Sequence, residues 1–285
     1  MKDVIIDTLI DNLKLLPFLF LTYLLMEYIE HKTGEKAEAA IRRAGKIGPL
    51  AGGVLGIVPQ CGFSASASGF YAGRVISLGT LIAVFLSTSD EMLPICISHQ
   101  AGIAVIAKIL AFKAVAGIVL GFLTDAVMRL LKKGKKPEAI HCLCENDDCH
   151  CEEEGIIRSA LHHTVKIAAF ILIITFALNT AIHFIGEENL GRLFVDIPVL
   201  SSAVAGLVGL IPNCAASVVI TELFLQGVIS TGAMLSGLLT GSGIGLLVLF
   251  RTNRNIKENI GIALLVWLLG TAVGAAVSLA GVSFL

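Results

Sequence analysis

Two nine-residue stretches at an offset of 153 share one skeleton: Gly56-Ile-Val-Pro59-Gln60-Cys61-Gly-Phe-Ser64 and Gly209-Leu-Ile-Pro212-Asn213-Cys214-Ala-Ala-Ser217. The same offset aligns Val75-Ile76-Ser77 with Val228-Ile229-Ser230, Gly79 with Gly232, Leu86-Ser87 with Leu239-Thr240, and Ser89 with Ser242. Upstream, with the offset one shorter, Lys14 aligns with Lys166 and His31 with His183. An ungapped match of this reach means internal duplication, so the chain is expected to fold as two copies of one unit.

The solvent for those units follows from composition. The 285 residues are 55% hydrophobic and 15% charged, with a mean hydropathy of +0.86. Soluble domains average about 25% charged residues, so the expected surroundings are a lipid bilayer. Val165–Ala181, Leu78–Leu86 running past a polar break to Ile97, Ile103–Val127, Leu235–Phe250 and Ile260–Leu279 approach the roughly 20 apolar residues of a spanning helix. Asp7, Asp11 and Lys14 interrupt the start of the chain, which therefore does not read as a cleavable leader; Leu13–Ile29 reads as a retained helix. A net charge of −1 argues against a nucleic-acid partner.

Each half has four parts. A long helix (about Ile6–His31 and Ile157–His183) precedes a segment broken by Gly and Pro (Gly48–Gly73 and Val199–Gln226). Two further apolar stretches follow (Val75–Ser98 and Gly102–Leu131; Val228–Arg251 and Ile256–Ala280). This divides the chain into a first transmembrane repeat, 1–131, a polar linker, 132–155, and a second repeat, 156–285.

Charge bias orients these parts. Lys32, Lys36, Arg42, Arg43 and Lys46 mark one basic loop. Arg129, Lys132, Lys133, Lys135, Lys136 and Arg158 surround the linker, and Arg251, Arg254 and Lys257 mark a third basic loop. The positive-inside rule puts all three in the cytoplasm. Gly186–Ile197, with Arg192 against Glu187, Glu188 and Asp196, goes outside, although it is the repeat counterpart of the first basic loop. Matching loops on opposite sides mean inverted repeats with an odd number of crossings each. Gly48–Gly73 is too short for two spans and broken for one, so a re-entrant hairpin is expected in each half. Pro59-Gln60-Cys61 and Pro212-Asn213-Cys214 then lie near the tips. Counting hairpin arms gives an all-α protein of about ten helices with both termini outside, in the inner or plasma membrane.

In inverted-repeat transporters the substrate sits where broken helices meet. Gln60, Cys61 and Ser64, with Asn213, Cys214 and Ser217, present polar atoms at the breaks, either as substrate ligands or as caps of the helix ends. Cys61 and Cys214 fall at the start of the second hairpin arms, where a helix N-terminus favours a thiolate. Paired thiolates suit a soft metal or trivalent arsenic; the alternative is two small buried residues. Ser87-Thr88-Ser89-Asp90-Glu91 interrupts another stretch. An intramembrane Asp costs about 2.5–3.5 kcal/mol on insertion scales, which makes such a residue a functional candidate. Asp90 and Glu91 would bind a hard cation such as Mn²⁺, carry a coupling proton, or pair with Lys108 or Lys113. The second repeat has Thr240-Gly-Ser242-Gly-Ile here, so the pseudo-symmetric site is chemically one-sided.

The linker carries its own signal. His141, Cys142, Cys144, Cys149, His150 and Cys151 fall within eleven residues. Their spacing matches no folded zinc finger, yet the donors suit Zn²⁺, Cu⁺ or another thiophilic ion. A cytoplasmic location disfavours disulfides.

Val58-Pro59-Gln60-Cys61-Gly62-Phe63-Ser64, Phe85-Leu86-Ser87-Thr88-Ser89-Asp90-Glu91 and Ile211-Pro212-Asn213-Cys214-Ala215-Ala216-Ser217 resemble the ten-helix heavy-metal exporter family, also labelled arsenic efflux proteins or manganese transporters. The resemblance spans nearly the whole chain and implies efflux of a metal or metalloid ion. A looser likeness is to organoarsenical permeases, which carry a Pro-x-Cys motif and a Phe-Leu-x-Ser-Thr run; their closely spaced second cysteine is missing here.

The expectation is therefore a proton-coupled exporter of manganese, another heavy metal or arsenite. It requires no cofactor beyond a metal ion as substrate and linker ligand, and it is compatible with a homodimer. There is no Gly-x-x-x-x-Gly-Lys-Ser/Thr sequence for ATP. The chain also has no His-Glu-x-x-His helix and no base–nucleophile set of an enzyme. Organic-anion transport, with hairpin N-termini holding the negative group, and metal sensing through the linker are the competing classes.

Overall fold

The computed structural model describes residues 45, 47–58, 61–89, 92–131, 156–185 and 198–284, with scattered helical positions between 9 and 24. Most of the first basic loop, the loop 186–197 and the linker lie outside the described residues.

Helix boundaries repeat at the sequence offset. After α1 (Gly48–Leu55), the first half contains α2 (Cys61–Ala72), α3 (Leu78–Ser87), α4 (Met92–Ser98) and α5 (Ile103–Leu131). The long α6 (Ile156–Ile185) opens the second half. It is followed by α7 (Pro198–Gly209), α8 (Cys214–Leu225), α9 (Thr231–Thr240), α10 (Gly245–Thr252) and α11 (Ile256–Leu279). The starts of α2, α3, α4 and α5 recur 153 residues later as those of α8, α9, α10 and α11. The described residues are helical and contain no strand.

Local chemistry explains the repeated boundaries. Ser77 is extended (φ −76°, ψ 161°) and its hydroxyl accepts from Thr80 N to cap α3; Ser230 (φ −70°, ψ 159°) caps α9 by accepting from Ala233 N. A serine there satisfies one of the amides that the first helical turn leaves unpaired. At the far end, Ser87 Oγ bonds back to Ala83 O and Val84 O at 2.7 and 3.1 Å. Thr240 Oγ1 bonds back to Ser236 O and Gly237 O, both at 3.0 Å. These hydroxyls take up carbonyls of the last turn.

Within each half the odd-numbered helices form a trio. α1, α3 and α5 pack together, as do α7, α9 and α11. Glycines let them approach. A Cβ at Gly79 would strike Gly121 O and Asp125, and one at Gly232 would strike Gly274 O and Ser278. The even-numbered helices cross over: α2 packs on α10 and α4 on α8, so each half lends an arm to the other. Ser68 Oγ stitches one crossing by donating to Gly245 O at 2.7 Å. Met92 and Cys96 of α4 share a core with Ala216, Ile220 and Phe224 of α8 at the other.

Hydrogen bonds fix which ends meet. Ser77 Oγ and Gly79 N donate to Asp125 near the C-terminal end of α5, at 2.7 and 2.8 Å. Arg74, just before α3, holds Glu258 in the first turn of α11. Ser230, just before α9, lies 3.2 Å from Ser278 at the opposite end of α11. Glu258 and Ser278 are about 30 Å apart along that helix. The turns before α3 and α9 therefore lie at opposite ends of the molecule.

Five helical segments among the described residues are long and apolar enough to cross a membrane: Leu78–Ser98, Ile103–Leu131, Ala160–Ala177, Thr231–Thr252 and Ile256–Leu279. The two that contain breaks are 75% and 83% buried, whereas the unbroken α5 and α11 are 22% buried. The interrupted backbone is thus wrapped in protein and the continuous helices face outward, as a bilayer requires.

Candidate functional site

The breaks converge. A small cavity of about 10 Å³ lies among Thr88, Ser89 and Met92 from the α3–α4 break, and Gly209, Asn213 and Ser217 from the α7–α8 break. Leu238, Gly241 and Gly243 from the α9–α10 break and Lys113 from α5 complete its wall. That space suits about one water molecule. Ser89 and Asn213 are buried, and Ser89 Oγ donates to Ser87 O at 3.1 Å.

Among the described residues, Lys113 brings a formal charge to this cavity. It is 1% exposed, and its Nζ donates to Thr88 O and, at 2.9 Å, to Leu238 O. Thr88 is the C-cap of α3 and Leu238 lies in the last turn of α9. The ammonium therefore sits where the negative ends of two helix dipoles meet. Its repeat counterpart is Val266, fully buried in an apolar core, so the fold itself does not demand a charge at this position.

The predicted site residues separate into groups. Ser89, Asn213 and Ser217 line the cavity. Ser242 is buried in the α9–α10 break between the lining glycines Gly241 and Gly243. Ser87 and Thr240 are buried and turned back onto their own helices, and Thr240 Oγ1 also donates to Gly206 O at 2.9 Å. Ser64 is buried in the α2–α10 seam, where a Cβ on Gly245 would lie 2.8 Å from Ser64 Cβ. Cys61 and Cys214 are the first residues of α2 and α8; their side chains lie outside the described residues. So do Gln60, Asp90, Glu91 and the linker donors His141, Cys142, Cys144, Cys149, His150 and Cys151. Of the two lysines considered as partners for Asp90 and Glu91, Lys108 is exposed on α5 and Lys113 is the one at the cavity. Among the described residues, no three His, Cys, Asp or Glu side chains gather into a metal cluster.

Sequence reasoning treats Lys113 only as a salt-bridge partner and overlooks it as part of the site. The available signal is the repeat itself, which sets a lysine opposite a core valine.

A larger cavity, of about 710 Å³, opens at the end of the molecule where Arg74, Asp125, Arg129 and Glu258 meet over Ile76, Leu78, Ile262 and Leu265. Its size favours it as a ligand pocket, but two of its charges are already paired. Arg74 Nη1 and Nη2 hold Glu258 at 2.8 and 2.9 Å, and Tyr71 Oη also donates to Glu258. Asp125 is bonded to Ser77 and Gly79. The smaller cavity, made from both halves and from helix ends, is the better candidate for substrate chemistry.

No curated protein and no solved structure matches the chain. Residues 1–142 and 130–250 match a family described as "Putative, 10TM heavy-metal exporter". Together with the apolar helices, that match makes the protein a multi-pass membrane protein, and the chain belongs to this ten-helix heavy-metal exporter family.

Proposed function

We propose that the protein is a secondary transporter that exports a metal or metalloid ion by alternating access, with the two repeats rocking about the central cavity. The observation that carries this reading is the meeting of broken helices from both halves at one buried polar point. Secondary transporters place their substrate at such a point, and the largely protein-wrapped breaks argue for a functional rather than a merely tolerated interruption.

Inverted repeats accompany this reading. They are supported by the opposite placement of the turns before α3 and α9 along α11. Arg129, which flanks the linker, and Glu258, which follows the basic loop of Arg254 and Lys257, line one cavity; this supports placing the linker and that loop at one end, which the positive-inside rule assigns to the cytoplasm. Re-entrant arms are supported by the shortness of α1 and α2, with 8 and 12 residues, and of α7 and α8, with 12 each. The 710 Å³ cavity is then the approach from the cytoplasm.

In this mechanism Cys61 and Cys214, at helix N-termini, supply thiolate donors for a soft ion, and Asn213, Ser217 and Ser89 supply neutral oxygens. Asp90 and Glu91 carry the coupling proton or bind a hard cation. The linker cysteines and histidines hold metal at the entrance, and removing Lys135–Glu154 should leave much of the flux.

A second reading has one observation in its favour. The Lys113 ammonium at the cavity suits an anionic solute better than a dication.

Whole-cell element content by mass spectrometry separates the readings. Cells making the wild type, Asp90→Asn, or the Cys61→Ser/Cys214→Ser pair are challenged with Mn²⁺, Zn²⁺ or arsenite. Lower content of one element in the wild type, lost in a variant that is still expressed, supports export and tells oxygen from sulfur ligation. Unchanged content for every element rejects metal export and moves the organic-anion reading to first place.

A further inference from the structure

Half-helix C-termini in secondary transporters are where unwound carbonyls coordinate a coupling cation. Two such ends meet here, those of α3 and α9, and the group between them is not an ion but the Nζ of Lys113, bonded to Thr88 O and Leu238 O. An ammonium has donors and no acceptor, and in charge and size it is close to a desolvated alkali cation. The carbonyls it holds are oxygen ligands of the kind a hard cation takes.

We propose that Lys113 is a tethered cation. It occupies the carbonyl site between α3 and α9 that a free monovalent cation would otherwise fill, and it makes the folded protein independent of Na⁺ and K⁺. The one-sidedness of the fold supports this. Val266, at the same place in the second repeat, is fully buried among apolar neighbours, so the packing of this helix does not by itself call for a charge at position 113. Space also fits. The adjoining cavity holds about one water, and removing the lysine side chain would add room for an ion beside that water.

The inference rests on the transport reading for its consequence, but its test does not. Full-length wild type, Lys113→Ala and Lys113→Met are purified in KCl, and the unfolding midpoint of each is measured in choline chloride, NaCl and KCl at equal ionic strength. Lys113→Met keeps the stem and vacates only the ammonium position.

The expected result is a wild type indifferent to the cation. At least one variant should lose stability in choline and regain it saturably in NaCl or KCl, by on the order of 5 °C. A wild type with a saturable alkali response overturns the proposal, as do variants that respond alike to all three salts or that fail to fold even in KCl. Element export is measured on the same proteins in liposomes. Alkali-dependent variants alongside a wild type that exports nothing would sink the transporter reading and leave the tethered cation standing.

Discussion

Arg74 and Gly227 occupy equivalent positions of the two repeats, and both have left-handed backbones, with φ of 60° and 74°. Glycine adopts that conformation freely, whereas other residues resist it by about 1–2 kcal/mol. Arginine is held there by its fork onto Glu258 of the opposite half, at 2.8 and 2.9 Å, with Tyr71 beneath the guanidinium at 5.4 Å from the ring centroid. The counterpart of Glu258 is Val105, so this clasp is not repeated at the equivalent turn of the second half.

Replacing the clasp should therefore give an inverted order of stability. Arg74→Gly and Arg74→Ala both lose the fork, but only Gly fits the left-handed backbone. Arg74→Ala should unfold earlier by about 1 kcal/mol relative to Arg74→Gly. A double-mutant cycle between Arg74 and Glu258 should show coupling of about 1 kcal/mol, since both side chains keep some exposure. Thermal unfolding of the purified variants checks both numbers, and equal midpoints for Ala and Gly would reject the backbone argument.

Gly56 and Gly209 are repeat partners whose missing side chains face different obstacles. A Cβ at Gly56 meets Ser87 Oγ first, whereas one at Gly209 meets Gly237 O first. Either alanine should cost about 1–3 kcal/mol through overpacking. Ser87→Ala should restore part of the loss in Gly56→Ala, while Thr240→Ala should not rescue Gly209→Ala, because the backbone carbonyl stays. Melting curves of the four single and two double variants test this contrast.

Asp125 accepts from Ser77 Oγ and Gly79 N, and the second repeat has Ser278 at the same point. Asp125→Ala should lower stability by about 1–2 kcal/mol by leaving buried donors unpaired at the start of α3. Asp125→Ser, borrowing the sister repeat's solution, should lose less. Denaturant titration of the three proteins separates the two outcomes.

The duplication and its breaks are legible in the sequence because Pro59-Gln60-Cys61 and Pro212-Asn213-Cys214 are chemical marks that survive at a fixed offset. The starts of α2 and α8 coincide with those two cysteines. The exchange of arms is not legible: hydropathy reports that α2 and α4 are apolar, not that they pack on α10 and α8. Lys113 stays obscure for a related reason. Two of its acceptors are main-chain oxygens, of Thr88 and Leu238, and residue letters record no carbonyl that a helix end leaves open. Ser87 and Thr240 look like ligands in the sequence because a hydroxyl beside a break reads the same whether it faces a cavity or its own helix.

Asn213 is a residue of the repeated motif that is both buried and part of the lining of the central space. Asn213→Ala should abolish export while the protein is still made and inserted, with a midpoint lowered by about 1–3 kcal/mol for the lost polar contacts. Element content of cells making the variant, normalised to protein in the membrane, is the measurement. Undiminished export would remove Asn213 from the transport site.

The crossing of α2 onto α10 and of α4 onto α8 also has a meaning in time. A ribosome completes α2 and α4 long before α8 and α10 exist, so the first half must wait in the bilayer with two short helices lacking their partners. Insertion of this protein cannot proceed as two finished modules joined in series. Each half is a template on which the other is completed, and folding closes only when the last quarter of the chain arrives.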